Sequence, residues 1–185
     1  TVDGDTSTND TLLALANHAS GASIETQADL NGFSDALKDV CVELAKKIVM
    51  DGEGATKLVE IRVDGARTPE DAYRVCDAVS HSNLVKTAIY GEDPNWGRIT
   101  AAAGRSGAIV DPDKMDLYFE SESQKEPLVE QGVWLGSQAE SKTAEIMKNK
   151  TIIIHLDLNL GNCSDHYFFC DFSENYVKIN ADYRS

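Results

Sequence analysis

The residues best suited to chemistry stand together in Gly52-Glu53-Gly54-Ala55-Thr56-Lys57. One carboxylate lies between two glycines, and a hydroxyl and an ammonium follow at once. Glycine reaches positive φ and lets backbone approach closely, so Glu53 can be presented where a bulkier neighbour would block a ligand. The spacing is not that of a phosphate loop, which needs Gly-x-x-x-x-Gly-Lys-Ser/Thr. A carboxylate on a glycine hinge suits an amine better than a phosphate. The same residues also suit a solvated helix-to-strand turn.

Other groups offer narrower possibilities. Thr1 stands at the amino terminus, where a threonine can be a nucleophile with its own α-amine as base. Cys163 and His166 lie near a turn that can approach His155, as in a zinc site. No clean fourth ligand accompanies them, and strand alternation accounts for His155 as an ordinary sheet residue. Glu92, Asp93, Asn95, Trp96 and Arg98 crowd the loop from Gly91 to Arg98. There Trp96 can wall a pocket while Arg98 forks onto a carboxylate, or Trp96 can plug the core while Arg98 closes an ion pair. No nucleophile elbow, His-Glu-x-x-His pair or dinucleotide fingerprint occurs.

The elements that must position these groups follow from apolar spacing. Positions 33, 36, 37, 40, 41, 44, 45 and 48 mark one helical face between Phe33 and Met50, capped by Asn31 or Gly32. Val59, Ile61 and Val63 alternate as a half-buried strand. Thr68-Pro69-Glu70-Asp71 opens a second helix that turns Ala72, Tyr73, Cys76, Val79 and Ser80 inward. Leu84 to Tyr90 reads as a strand, Ile99 to Ala103 as a short helix, and Met115-Leu117-Phe119 as a strand. Leu128 to Leu135 adds short strands, and Gln138 to Lys148 is helical. Ile152, Ile154, Leu156 and Leu158 alternate, and Asp165 to Phe172 returns as their antiparallel partner. Thr11 to Ala16 is short and apolar enough for a buried strand, and Asn17 to Asp29 reads as a loop. The tail from Tyr176 to Ser185 is too rich in aromatic and β-branched residues for a fraying end. The order of helices and strands predicts a layered α/β fold over residues 1–185, with a sub-boundary near 107–114.

Composition narrows the partners. Seventeen basic residues against 31 acidic ones leave a net charge of −14, which argues against nucleic acid or an anionic membrane. No apolar run approaches the roughly 18 residues of a membrane span, and no signal peptide opens the chain. Four cysteines are too few for a disulfide scaffold, so a reducing compartment is expected. The chain opens on Thr1-Val2-Asp3 without an initiator methionine, as a processed chain or fragment would.

Four stretches together resemble one family. Thr1 to Asp10 (Thr-Val-Asp-Gly-Asp-Thr-Ser-Thr-Asn-Asp), Glu53-Gly54-Ala55-Thr56-Lys57, Gly91 to Ile99 and Tyr176 to Tyr183 are similar to ornithine acetyltransferase, also called glutamate N-acetyltransferase. The likeness runs from the first residue to the last in order. It implies an α/β fold resembling amino-terminal-nucleophile hydrolases, and a precursor that cuts itself at an Ala-Thr bond to free a nucleophilic threonine. An acetyl group then moves from N-acetylornithine to glutamate by a ping-pong route. The family's cleavage segment lies upstream of the run that begins at Thr1, so the resemblance makes Thr1 an interior strand residue. The nucleophile and the α chain would then both lie outside this chain, which is the β-chain portion.

On that resemblance no catalytic residue falls in the chain. Glu53 would pair with a substrate ammonium, while Asn180 and Ser185 would close over the substrate. The family often ends on threonine, and Ser185 keeps the hydroxyl. Cys163 to Phe169 departs from the family's smaller residues, which bears on local packing. The implied partners are the α chain, in an α2β2 heterotetramer, and the substrates N-acetylornithine, ornithine and glutamate. No cofactor or metal is implied beyond acetyl-CoA as a possible donor. The implied compartment is the cytoplasm, or the mitochondrial matrix in a eukaryote. The competing reading is a non-catalytic amino-acid-binding or regulatory module of the same fold.

Overall fold

A computed structural model describes residues 1–183. The elements are α1 (Gln27–Met50), β1 (Leu58–Ala66), α2 (Pro69–Ser80), α3 (Asn83–Tyr90), α4 (Trp96–Gly104), β2 (Asp116–Glu120) and β3 (Lys125–Glu130). They continue with β4 (Val133–Trp134), α5 (Ser137–Met147), β5 (Thr151–Asp157), β6 (Cys163–Cys170) and α6 (Glu174–Asp182). The strands form one sheet in the order β4-β3-β2-β5-β1-β6. The β1–β5 pair is parallel and the other neighbouring pairs are antiparallel. This is the α/β layering expected from the sequence.

Alternation in β1 and β5 builds the core. Val59, Ile61 and Val63 lie beside Ile152, Ile154 and Leu156, and all six are fully buried. Leu117 and Phe119 of β2 extend the same apolar face. Buried side chains of α2 (Val75, Cys76, Val79), α4 (Ile99, Ala102, Ala103) and α5 (Ile146, Met147) complete it. Removing that much apolar surface from water is the main stabilising term. The aromatic residues of β6 are housed by their neighbours. Phe169 is fully buried, and the Tyr167 ring meets Tyr73 edge-on at 6.3 Å.

The opposite sheet face carries charge. Arg62 of β1 pairs with His155 of β5, which in turn pairs with Tyr118 of β2. His155 sits between two carboxylates, Nε2 2.8 Å from Asp64 and Nδ1 2.9 Å from Glu120. Lys125 reaches Glu120 at 2.7 Å, and Arg62 lies 3.8 Å from it. Burial works against the Glu120 charge, but the Lys125 and His155 contacts outweigh it and hold the carboxyl below its ordinary value.

Several expectations are corrected. Leu84–Tyr90 belongs to helix α3, not to a strand. A short apolar run does not separate strand from buried helix by itself, and Ser82 decides it by accepting the Val85 N–H. Val85, Ala88 and Ile89 then share the buried side. Thr11–Ala16 has no regular structure, and Leu12, Leu13 and Leu15 are exposed, because no described residue covers them. The strand from Asp165 does return antiparallel, but to β1 (Ile61 opposite Tyr167) rather than to β5. Helix α1 starts before the expected cap, because Thr26 and Asp29 form a reciprocal capping box. Its apolar stripe keeps the predicted period, yet Phe33, Leu37, Leu44 and Ile48 are exposed. Tyr73 is exposed rather than turned inward. Residues 107–114, where the sub-boundary is expected, lie in the connection between α4 and β2.

A depressed carboxyl contributes stability above its unfolded value and loses it as pH falls through the folded one. For Glu120 the window lies below the ordinary value of 4.5. In the intact protein Glu120→Gln is expected to cost about 1 kcal/mol at neutral pH. Thermal unfolding across pH should show that difference vanish in strong acid.

Candidate functional site

Helix α1 ends at the Asp51 cap, whose N–H donates back to Lys47. The chain then turns, with Ala55 N donating to the Gly52 carbonyl at 2.9 Å. Gly54 has φ +71°, and a Cβ there would stand 2.6 Å from Tyr176 N and 2.9 Å from Ser173 Oγ. Only glycine lets this turn rest on the first turn of α6. Glu53 is thereby presented at the surface, as the glycine pair suggested.

Helix α6 supplies the facing groups. Asn180 Nδ2 donates to Glu53 Oε2 at 2.6 Å and to the Tyr176 carbonyl at 3.0 Å. Tyr176 OH donates to Asp3 Oδ2 at 2.8 Å, and its ring stacks on Phe172 with centroids 4.2 Å apart. Burial and the Asp3 carboxylate push the Tyr176 hydroxyl up to about 12, so it remains a donor at neutral pH. Burial opposes ionisation of Asp3, but the Asp5 N–H and the Tyr176 hydroxyl outweigh it and keep that carboxyl low.

Asp3, Glu53 and Asn180 border a cavity of about 800 Å³. Asp3, Asp5, Asp10, Asp51 and Glu53 line it together with the Asn180 amide, and its lining includes no lysine or arginine. The arrangement can hold a ligand that carries positive charge and hydrogen-bonding groups.

The other sequence candidates serve the fold. Lys57 is buried, with Nζ 2.7 Å from the Met147 carbonyl, 3.3 Å from that of Asn149 and 3.1 Å from Glu92. It closes the carboxyl end of α5. Asn95 caps α4 by accepting the Arg98 N–H. Arg98 donates to the Leu84 carbonyl at 2.8 Å, not to a carboxylate, and Trp96 packs against the core. Thr1 lies along the edge of β6, with its nitrogen 2.6 Å from the Phe168 carbonyl and Oγ1 3.1 Å from His81 Nε2. Cys163 Sγ meets the Arg67 carbonyl, and His155 is held by Asp64 and Glu120. Among the described residues no group of three His, Cys, Asp or Glu side chains is placed to hold a metal. Ser185 lies outside the described residues. Sequence reading missed Asp3, Asp171, Ser173 and the hydroxyl of Tyr176. Only the Ser173-Glu174 helix-start pattern could have flagged any of them.

The fold is a mixed α/β sheet with helices packed on its apolar face. The chain matches the ArgJ family over residues 1–185 and belongs to it. It is 50% identical over 188 residues to the arginine biosynthesis bifunctional protein ArgJ of Desulfotalea psychrophila, covering 100% of this chain and 47% of that protein. It is 48% identical to a glutamate N-acetyltransferase of Methanocaldococcus jannaschii, covering 98% of this chain and 46% of that protein. The crystal structure of the arginine biosynthesis bifunctional protein argJ from Bacillus halodurans matches with a TM-score of 0.89 at 39% identity. That match covers 99% of this chain and 85% of the other. The chain spans about half the length of the curated relatives it matches.

Gly54→Ala is expected to destabilise the intact protein by more than about 1 kcal/mol and to speed amide exchange in the first turn of α6. Gly21→Ala, at φ +65° with nothing near its Cβ, is the control. It should lower the melting temperature less and leave α6 exchange unchanged.

Proposed function

We propose that this chain supplies the amino-acid-binding part of an acetyltransferase that moves acetyl from N-acetylornithine to glutamate. The observation that carries the reading is the 2.6 Å approach of Asn180 to Glu53 at the rim of a cavity rich in carboxylates. In this reading Glu53 pairs with an ammonium of the ornithine moiety, Asn180 hydrogen-bonds the substrate, and Ser185 closes the site. A threonine hydroxyl from the remaining polypeptide attacks the acetyl carbonyl, and fixed donors stabilise the oxyanion. Ornithine leaves with the hydroxyl proton, and the amine of glutamate then takes the acetyl group from the threonine ester, its own proton passing back to the threonine oxygen. The chain's own part is to hold the amino-acid end in line with that nucleophile. No cofactor is needed, and acetyl-CoA is at most a second donor.

Two features support a partner made from the rest of the same precursor. The exposed stripe of α1 and the exposed leucines between Thr11 and Ala16 offer apolar surface for it to cover. The matched crystal chain is 85% covered where the curated relatives are only 47% and 46% covered, so it is little more than half their length. On the family resemblance, the assembly we propose is an α2β2 heterotetramer in the cytoplasm, or in the matrix of a mitochondrion. No described helix is long and apolar enough to cross a membrane.

The test is acetyl transfer from N-acetylornithine to glutamate by the full-length protein. Glu53→Gln should raise KM for N-acetylornithine about tenfold or more with little change in melting temperature. Parallel losses of activity and stability would instead make Glu53 a structural residue.

A further inference from the structure

Asp171 is a buried carboxylate, 2% exposed, at the junction of β6 and α6. The chemistry proposed above gives it no part. It accepts three hydrogen bonds from the loop that carries Glu53: Thr56 N at 2.7 Å, Thr56 Oγ1 at 2.6 Å and Lys57 N at 2.9 Å. Ser173 stands at the N-cap of α6, yet its side chain makes no cap hydrogen bond. A serine in that place normally accepts a first-turn amide. Here the hydroxyl donates to the Gly54 carbonyl at 2.6 Å. Helix α6 therefore forgoes a stabilising contact while the glutamate loop gains one.

The junction that holds the loop is itself anchored. Lys86, 2% exposed, donates from Nζ to the Cys170 carbonyl. Its own carbonyl accepts the Phe172 N–H at 3.2 Å. Its ammonium also lies over the rings of Phe169 and Phe172, at 5.3 and 5.8 Å. Residues 170–173 are thus tied to α3 on one side and to the Glu53 loop on the other. Glu53 itself is exposed on a hinge of two glycines, where a free carboxylate would sample many orientations.

We propose that Asp171 and Ser173 are positioning residues that set the affinity of the site for the cationic end of its ligand, acting through Glu53. Charge-assisted hydrogen bonds to a buried carboxylate fix the loop before the ligand arrives. A pre-ordered Glu53 then binds an ammonium without the cost of ordering a mobile loop. The inference rests on the reading of Glu53 as the ammonium partner.

The experiment is a double-mutant cycle in the full-length protein, read as KM for N-acetylornithine and Kd for ornithine. Asp171→Asn keeps the shape but removes the charge, and its amide nitrogen must donate to Thr56 Oγ1 where a carboxylate oxygen accepted from it. It should raise both constants about tenfold, and Ser173→Ala about threefold, with kcat changed less than about twofold. In a Glu53→Gln background neither substitution should add a further rise. Full additivity in that background, or a loss confined to kcat and melting temperature, overturns the positioning role. If Asp171→Asn does not fold, Thr56→Val withdraws one of the same donors and enters the cycle in its place. Unchanged KM and Kd in Glu53→Gln alone refute the assignment of Glu53 to the ligand, and the positioning role with it. A raised KM in Glu53→Gln with additive losses from Asp171→Asn refutes the positioning role only.

Discussion

One pairing in the β1–β6 ladder organises the molecule: Leu58 lies opposite Cys170. Because the strands are antiparallel, the start of β1 meets the end of β6. The loop before β1 and the junction before α6 are therefore neighbours, although about a hundred residues separate them in sequence. A slip of one residue would turn Val59, Ile61 and Val63 to the charged face, and the core would not tolerate it. The hydrophobic pattern of β1 therefore also fixes where Glu53 meets α6.

Around that pairing the site is built from backbone contacts more than from side-chain reach. Gly54 presses on the first turn of α6, Asp171 takes the amides of Thr56 and Lys57, and Ser173 takes the Gly54 carbonyl. Glu53 and Asn180 are exposed, so their geometry depends on this buried frame. The same division holds across the sheet. A dry apolar face supplies stability, while His155 and Lys125 engage Asp64 and Glu120 on the charged face and Tyr176 engages Asp3 at the cavity.

Much of the fold was legible because alternation and helical spacing are local. β1, β5, α2 and α5 came out close to where periodicity put them. Leu84–Tyr90 did not, because seven residues carry too little period to tell helix from strand, and the deciding Ser82 cap is a weak signal. The neighbour of β6 was also hidden, since alternation says which face a strand buries but not which strand lies beside it. For the site, Glu53 announced itself by its glycines, whereas Asn180 emerged only from the family resemblance. Asp171 was opaque. It looks like the end of a strand, and its partners lie 115 and 114 residues away.

The sequestration of Lys57 and Lys86 has a chemical consequence for a centre that handles activated acyl groups. An unshielded amine beside a reactive ester would be acylated in place of the intended acceptor. Here the ammonium of Lys57 is held by two carbonyls and Glu92, and that of Lys86 by the Cys170 carbonyl, while the lining of the acidic cavity has no lysine of its own. Under the proposed acetyl transfer, the ammonium groups of Lys57 and Lys86 are thereby withheld from self-modification.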